Sequence, residues 1–226
     1  MQEVPILTID GPSGSGKGTV SRAAAKRLGW ALLDSGALYR LVALGGRRAG
    51  IDLDDGAALA RLARRLDMRF DATPFGEEVV FLDEIDVTRE IRCESAGNDA
   101  SKVAALPAVR AALLERQRRF AVVPGLVADG RDMGTVVFRD ALVKIFLTAS
   151  ADERAARRYK QLKEKGVAGN LAALSKEIAE RDQRDITRTA APLVASADAV
   201  LLDTTGMSAD AVVERVLRIV HERLSP

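Results

Sequence analysis

The segment Leu7-Thr8-Ile9-Asp10-Gly11-Pro12-Ser13-Gly14-Ser15-Gly16-Lys17-Gly18-Thr19 decides the reading of the chain. An apolar run feeds a glycine-rich turn, the turn ends on a lysine, and helix-forming residues follow. That is the context a phosphate-binding loop requires. Glycines at 11, 14 and 16 let the backbone fold tightly enough for several N–H groups to converge on one anion. The N-terminus of the following helix adds its dipole, and Lys17 adds a full positive charge. One departure from the general motif stands out: Gly18 follows Lys17, and the hydroxyl comes one place later at Thr19. The plain alternative is a glycine-rich turn with a chance lysine, and the combined spacing, lysine and strand-to-helix context argue against it. Gly11, Pro12, Ser13, Gly14, Ser15, Gly16, Lys17, Gly18 and Thr19 are therefore expected to hold the phosphates of ATP or GTP.

Outward from this loop, short apolar runs alternate with longer helical patterns, the signature of an α/β fold with a parallel sheet. The runs at 5–10, 30–33, 126–129, 143–148 and 199–203 are nearly continuous, as expected of five strands covered on both faces. A helix over 16–28 is stopped by Gly29. Another over 208–224 starts at a capping Ser208 and carries Val212, Val213, Val216, Leu217, Val220 and Leu224 as a core-facing stripe. Two stretches break the alternation. Between 68 and 87 the pattern shifts to short β pieces at 69–72, 78–82 and 85–87, with turn signals at 73–76 and 83–84. They form a small antiparallel insert carried with helices near 57–66 and 109–120. The second stretch, 152–188, is helical and dense in Arg, Lys and Glu.

The chain has 226 residues, 47% hydrophobic and 29% charged, with a net charge of +2. Opposite charges are interleaved, which argues against a nucleic-acid partner. No apolar run approaches the ~18 residues of a membrane span, and the early start of the first strand leaves no room for a signal peptide. Cys93 is the only cysteine and His221 the only histidine. A disulfide, a Cys-rich metal site, a His-based triad and a multi-His zinc site are thereby excluded. His221 reads as a solvent-facing residue of the last helix. A cytoplasmic monomer is expected.

The acceptor must be inferred from the remaining charges. A kinase acting on a neutral hydroxyl wants a carboxylate base, whereas a phosphate acceptor is already anionic and needs cations. Arginine suits that task because its planar fork grips phosphate at two points. On the helical segment from Leu171, the stripe Leu171, Leu174, Ile178 continues onto Arg181, Asp185 and Arg188. If the helix stays regular, Asp185 and Arg188 lie roughly 40° and 20° either side of Arg181. Asp182 and Arg184 read as an ordinary surface pair. A second constellation, Asp129-Gly130-Arg131-Asp132-Met133-Gly134, follows an apolar run, where ligands of open α/β sheets bind. A third, Asp34-Ser35-Gly36-Ala37-Leu38-Tyr39-Arg40, also begins at a strand end.

Together these motifs resemble the cytidylate kinase family of nucleoside-monophosphate kinases. The resemblance rests on the Gly-Pro-Ser-Gly-x-Gly-Lys-Gly-Thr loop, Leu-Asp-Ser-Gly-x-x-Tyr-Arg and Asp-Gly-Arg-Asp-Met-Gly-Thr-Val-Val-Phe. It extends to Arg181-Asp182-x-x-Asp185-x-x-Arg188 and Ala191-Pro192-Leu193, and in that family the Lys-Gly-Thr ending is usual. Arg139 and Ala195 stand where prolines are common, away from the expected contacts. The resemblance implies a core over 1–37, 103–151 and 191–226, an acceptor-binding domain with a β insert over 38–102, and a helical lid over 152–190. It implies that Arg40, Arg131 and Arg188 grip the acceptor phosphate, and that Ser35, Arg181 and Asp185 bind near its sugar and phosphate. Ser101, Arg110 and Asp132 would read the cytosine edge, and lid arginines among Arg154, Arg157 and Arg158 would reach the migrating phosphoryl. The expected reaction is in-line transfer from Mg-ATP to CMP or dCMP. Mg²⁺ would be carried largely by the ATP phosphates, with Asp129 an outer-shell partner. Kinases of UMP, AMP or a small hydroxylated metabolite, and a regulatory nucleotide switch, are the alternatives.

Overall fold

Leu7, Thr8 and Ile9 are all fully buried, so the strand Ile6–Asp10 (β1) is covered on both faces. The computed structural model describes residues 4–72, 78–164 and 170–224. Numbering strands in chain order, β1 is followed by Ala31–Asp34 (β2), then Met68–Ala72 (β3), Glu78–Leu82 (β4) and Ile85–Asp86 (β5). Leu126–Gly130 (β6), Val143–Thr148 (β7) and Val200–Asp203 (β8) complete the set. Five of these make a parallel sheet in the order β2-β6-β1-β7-β8. Leu7 lies opposite Val127 on one side and Val143 on the other. Each expected strand is present to within a residue, and β1 and β6 are covered on both faces as expected, but the edge strand β8 is not, since its Leu201 is exposed.

The helix Lys17–Leu28 (α1) leaves the phosphate loop directly and ends at Gly29, whose φ of 68° is the left-handed stop expected there. Its Val20, Ala24 and Ala25 join Val212, Val213, Val216, Leu217 and Val220 of Ala209–Leu224 in one core with Leu7, Ile9, Ile145 and Leu147. We label that last helix α8, after the helices introduced below. Ser208 Oγ accepts from Ala211 N at 3.2 Å, the cap read from the sequence. Leu224 departs from the expected stripe: it is exposed, in the final turn beyond the packed residues. His221 is exposed, as expected.

The chain divides into two compact units, 1–34 with 118–226, and 35–117. The second unit contains Ser35–Arg48 (α2), Gly56–Arg65 (α3), Glu94–Val103 (α4) and Pro107–Arg118 (α5), the last ending at its boundary. α2 buries Leu38, Leu41 and Val42 and packs along α4, which buries Ala100 and Val103. The expected insert is an antiparallel sheet, β3-β4-β5. Its β4–β5 turn places Asp83 and Glu84 at φ 48° and 65°, the left-handed pair a two-residue hairpin favours. The turn expected over 73–76 lies outside the described residues.

Back in the first unit, the charged stretch forms two helices, Ala151–Glu164 (α6) and Leu171–Thr187 (α7), packed on each other. Asn170 caps α7, accepting from Ala172 N at 2.9 Å and Ala173 N at 3.2 Å. Two expectations for α7 are corrected. Leu171 is exposed rather than inward, because the buried stripe runs Leu174, Ile178, Asp182, Asp185 at spacings of four, four and three. The helix also ends at Thr187, so Arg188 is its C-cap with extended backbone (φ −60°, ψ 138°) and not a helical residue.

Candidate active site

The loop between β1 and α1 turns at glycines 11, 14 and 16, all at positive φ (147°, 76° and 94°). Asp10, at the end of β1, fixes the start of the loop. Its two carboxylate oxygens accept from Met133 N at 2.9 Å and Gly134 N at 2.8 Å. These amides open a short π-turn over Met133–Val137 that follows β6. Burial raises Asp10 to about 6, against the lowering effect of both amides. The loop and the Arg131–Asp132 segment are thereby tied at one end of the sheet, as parallel α/β topology requires of a ligand site.

Lys17 is buried, and its Nζ donates to Pro12 O at 2.8 Å. Burial, then the nearby Arg131 cation, lower its ammonium to about 7, while Asp129, Asp185 and Asp10 act in the opposite sense. Asp129 is buried too, and burial raises its carboxyl despite Lys17. Arg131 Nε donates to Asp185 Oδ2 at 2.9 Å, and its NH1 to Gly130 O at 3.2 Å. Arg188 NH2 reaches Asp132 Oδ1 at 3.4 Å, with both side chains 3% exposed. Its Nε donates to Ala191 O at 2.6 Å. Six of the residues picked out from the sequence, Lys17, Asp129, Arg131, Asp132, Asp185 and Arg188, thus gather in one unit. Arg181 is only half-buried on α7.

An anion entering this cluster would favour the charged form of Lys17, so we expect protons to be taken up with it. Further protonation of Asp129 next to an anion has the same sign. Calorimetric titration of Mg-free ATP at pH 8, in buffers of different ionisation enthalpy, should show uptake approaching one proton. Lys17→Met should remove most of it.

Asp182 corrects the sequence reading. It is buried rather than on the surface, and it pairs with Arg154 instead of Arg184. Its Oδ1 accepts from Ser13 N at 3.1 Å, while Arg154 NH1 donates to Ser13 O at 2.9 Å. The signal was present, since Asp182 follows Ile178 by four residues on the same helical face. Arg157, one turn beyond Arg154, donates to Ser15 O at 3.3 Å, Thr204 Oγ1 at 2.9 Å and Thr204 O at 2.6 Å. Arg158 is half-buried and donates to Gln161 Oε1 at 3.0 Å.

In the second unit, Ser35 is the buried first residue of α2. Arg40 NH1 donates to Ile91 O at 2.6 Å. The Arg110 guanidinium lies 5.7 Å from the centroid of the Tyr39 ring and donates to Ala104 O at 3.2 Å. Ser101 Oγ is buried with no hydrogen-bond partner among the described residues. Among the described residues, no three His, Cys, Asp or Glu side chains converge as a metal site. No helix there is long and apolar enough to cross a membrane.

Residues 7–222 match the model of the family described as cytidylate kinase. A cytidylate kinase of Stutzerimonas stutzeri (strain A1501) is 57% identical over 224 residues, covering 99% of this chain and 98% of that protein. One of Pseudomonas aeruginosa (strain LESB58) is 59% identical over 217 residues, covering 95% of this chain and 94% of that protein. Among solved structures, an uncharacterized protein from Eubacterium ventriosum ATCC 27560 matches with a TM-score of 0.50 at 12% identity. It covers 96% of this chain and 98% of that one, a likeness of fold alone.

Proposed function

Because the chain belongs to the cytidylate kinase family, and so transfers a phosphoryl group from ATP to CMP or dCMP, we propose that the transfer takes place on the charged cluster at the phosphate loop. The observation that carries this assignment is the burial of Lys17 among Asp129, Arg131 and Asp185, beside the Arg188–Asp132 pair. The acceptor oxygen of a nucleoside monophosphate is already anionic, so the chemistry calls for cations and positioning rather than a base. Amides of the loop from Gly14 to Thr19 hold the ATP phosphates. Lys17 exchanges Pro12 O for the migrating group. Arg40, Arg131 and Arg188 grip the acceptor phosphate, with Ser35, Arg181 and Asp185 near its sugar and phosphate.

Ser101, Arg110 and Asp132 read the base. Cytosine offers an exocyclic amino donor and acceptors at N3 and O2, which a carboxylate and an arginine complement. The buried, unpartnered Ser101 hydroxyl supports this, since such an atom costs free energy until a partner arrives. Mg²⁺ held by the ATP phosphates would neutralise charge on the transferred group. Asp129 fits an outer-shell contact to it, because a cation would favour the ionisation that burial opposes. Residues 152–190 act as a lid that excludes water, with Arg157 and Arg158 turning toward the phosphoryl group on closure. Residues 1–37, 103–151 and 191–226 form the core, and 38–102 carries the acceptor. We place the enzyme in the cytoplasm as a monomer without a nucleic-acid partner.

ADP release with Mg-ATP and a panel of CMP, dCMP, UMP, AMP, GMP and shikimate tests the assignment. Stimulation should be strong with CMP and dCMP. Asp132→Ala should raise KM for CMP by about 10²-fold and leave KM for ATP nearly unchanged, as expected when a buried polar reader is lost. Equal changes in both constants would remove Asp132 from the base site.

A further inference from the structure

We infer that Asp182 and Arg154 are a positioning pair that sets the Ser13 peptide, and through it the affinity of the loop for the ATP triphosphate. The inference rests on the phosphate-loop reading above. An anion-binding loop needs its N–H groups turned inward, so its carbonyls must find donors elsewhere. Here three loop carbonyls receive cationic donors. Lys17 serves Pro12 O, Arg154 serves Ser13 O, and Arg157 serves Ser15 O.

Ser13 is held at both of its backbone polar groups. One Asp182 oxygen takes its N–H, the other pairs with Arg154, and Arg154 returns to its carbonyl. Arg154 and Asp182 are each 9% exposed. The Arg154 guanidinium is further anchored at Ala149 O, 3.2 Å away. The first turn of α6 rests on the loop itself, for a Cβ on Gly14 would lie 3.0 Å from Arg154 Cβ and 3.2 Å from Arg154 O. Ser13 N–H is therefore committed to a carboxylate, and the anion cradle begins at Gly14. Neither side chain need touch ATP to control how that cradle is presented.

Asp182→Asn keeps the size but removes the charge and one acceptor. It should raise KM for ATP about 10-fold, in line with the loss of a buried, charge-assisted contact, with KM for CMP changed less than about 2-fold. Arg154→Lys should behave alike, because a single nitrogen cannot stand both where Nε serves Ala149 O and where NH1 serves Ser13 O and Asp182. The double variant should be little worse than either single one, as for residues acting as a unit. ATP binding by calorimetry and the melting temperature are measured alongside. Parallel changes in both Michaelis constants, no change in either, or additive effects would overturn the inference. If Asp182→Asn does not fold, the same split in Arg154→Lys decides. If Lys17→Ala loses ATP-dependent turnover while Asp182→Asn keeps normal ATP affinity, the clamp fails and the loop assignment stands. If neither variant affects the use of ATP, the loop assignment fails with it.

Discussion

Lys17→Ala should lower kcat by about 10³-fold or more, the scale on which enzymes lose a preorganised charge at a developing anion. The reason lies in the burial of the ammonium. Lys17 is buried, and its ammonium donates to the Pro12 carbonyl. Its charge is opposed by burial and by Arg131. A transferring phosphoryl group brings further negative charge to this cation, and the low local dielectric makes the attraction large. The guanidiniums of the cluster, Arg131 and Arg188, are held by Asp185 and Asp132 and, on the proposal above, serve the acceptor phosphate, so neither takes over the place of the ammonium. The fold should persist, because the Lys17 side chain contributes one hydrogen bond to the loop while the loop is also held by Asp10, Asp182 and Arg154. Steady-state turnover with a melting curve separates the two effects. Near-normal kcat in a folded variant would mean that the phosphoryl group is transferred elsewhere.

The same cluster shows how much of the molecule could be read from its sequence. The central strands β1 and β6 were legible because a doubly covered strand has one compositional solution, an unbroken apolar run. Their spatial order was not, since β1 owes its central place to pairing with β6 and β7, more than a hundred residues away in the chain. α2 was hidden by its own glycines. Gly46 lies where a Cβ would meet Leu59 Cδ2 at 2.6 Å, so close packing took precedence over helix propensity. Its start reads in the sequence as a loop after a strand end, yet Asp34 closes β2 and Ser35 begins the helix at once. α7 was legible as a helix but not in phase. The stripe counted from the exposed Leu171 runs to Arg181, Asp185 and Arg188 and reaches the buried Asp185, but it takes the half-buried Arg181 in place of its buried neighbour Asp182. An acid on a buried face signals a buried cation, and its partner Arg154 lies on another helix. Charge pairs that cross elements carry no periodic signature.

Gly11→Ala should cost the protein about 3 kcal/mol or more and shift Tm down by about 10 °C, with ATP affinity falling in step. Two separate effects add at this position. Gly11 holds φ at 147°, a conformation that side chains rarely adopt, and a Cβ there would lie 2.1 Å from the Leu147 carbonyl oxygen. That oxygen belongs to β7, whose backbone is fixed by its ladder to β1, with Asp10 paired to Phe146 one residue away. Relief therefore needs a movement of roughly an ångström by either the sheet or the loop, and a packed sheet yields poorly. The loop would move, carrying Pro12 and the Ser13 peptide away from Lys17 and Asp182. Gly29→Ala is the control. It shares the positive φ, at 68°, but has nothing within 4 Å of the added methyl. It should cost only the ~1–2 kcal/mol of a left-handed residue. Melting curves and ATP titrations of the two variants isolate the clash from the strain. If Gly11→Ala were no less stable than Gly29→Ala and bound ATP normally, contact with β7 would not be what shapes the loop. The clamp at Ser13 and the anchor at Asp10 would then have to hold it.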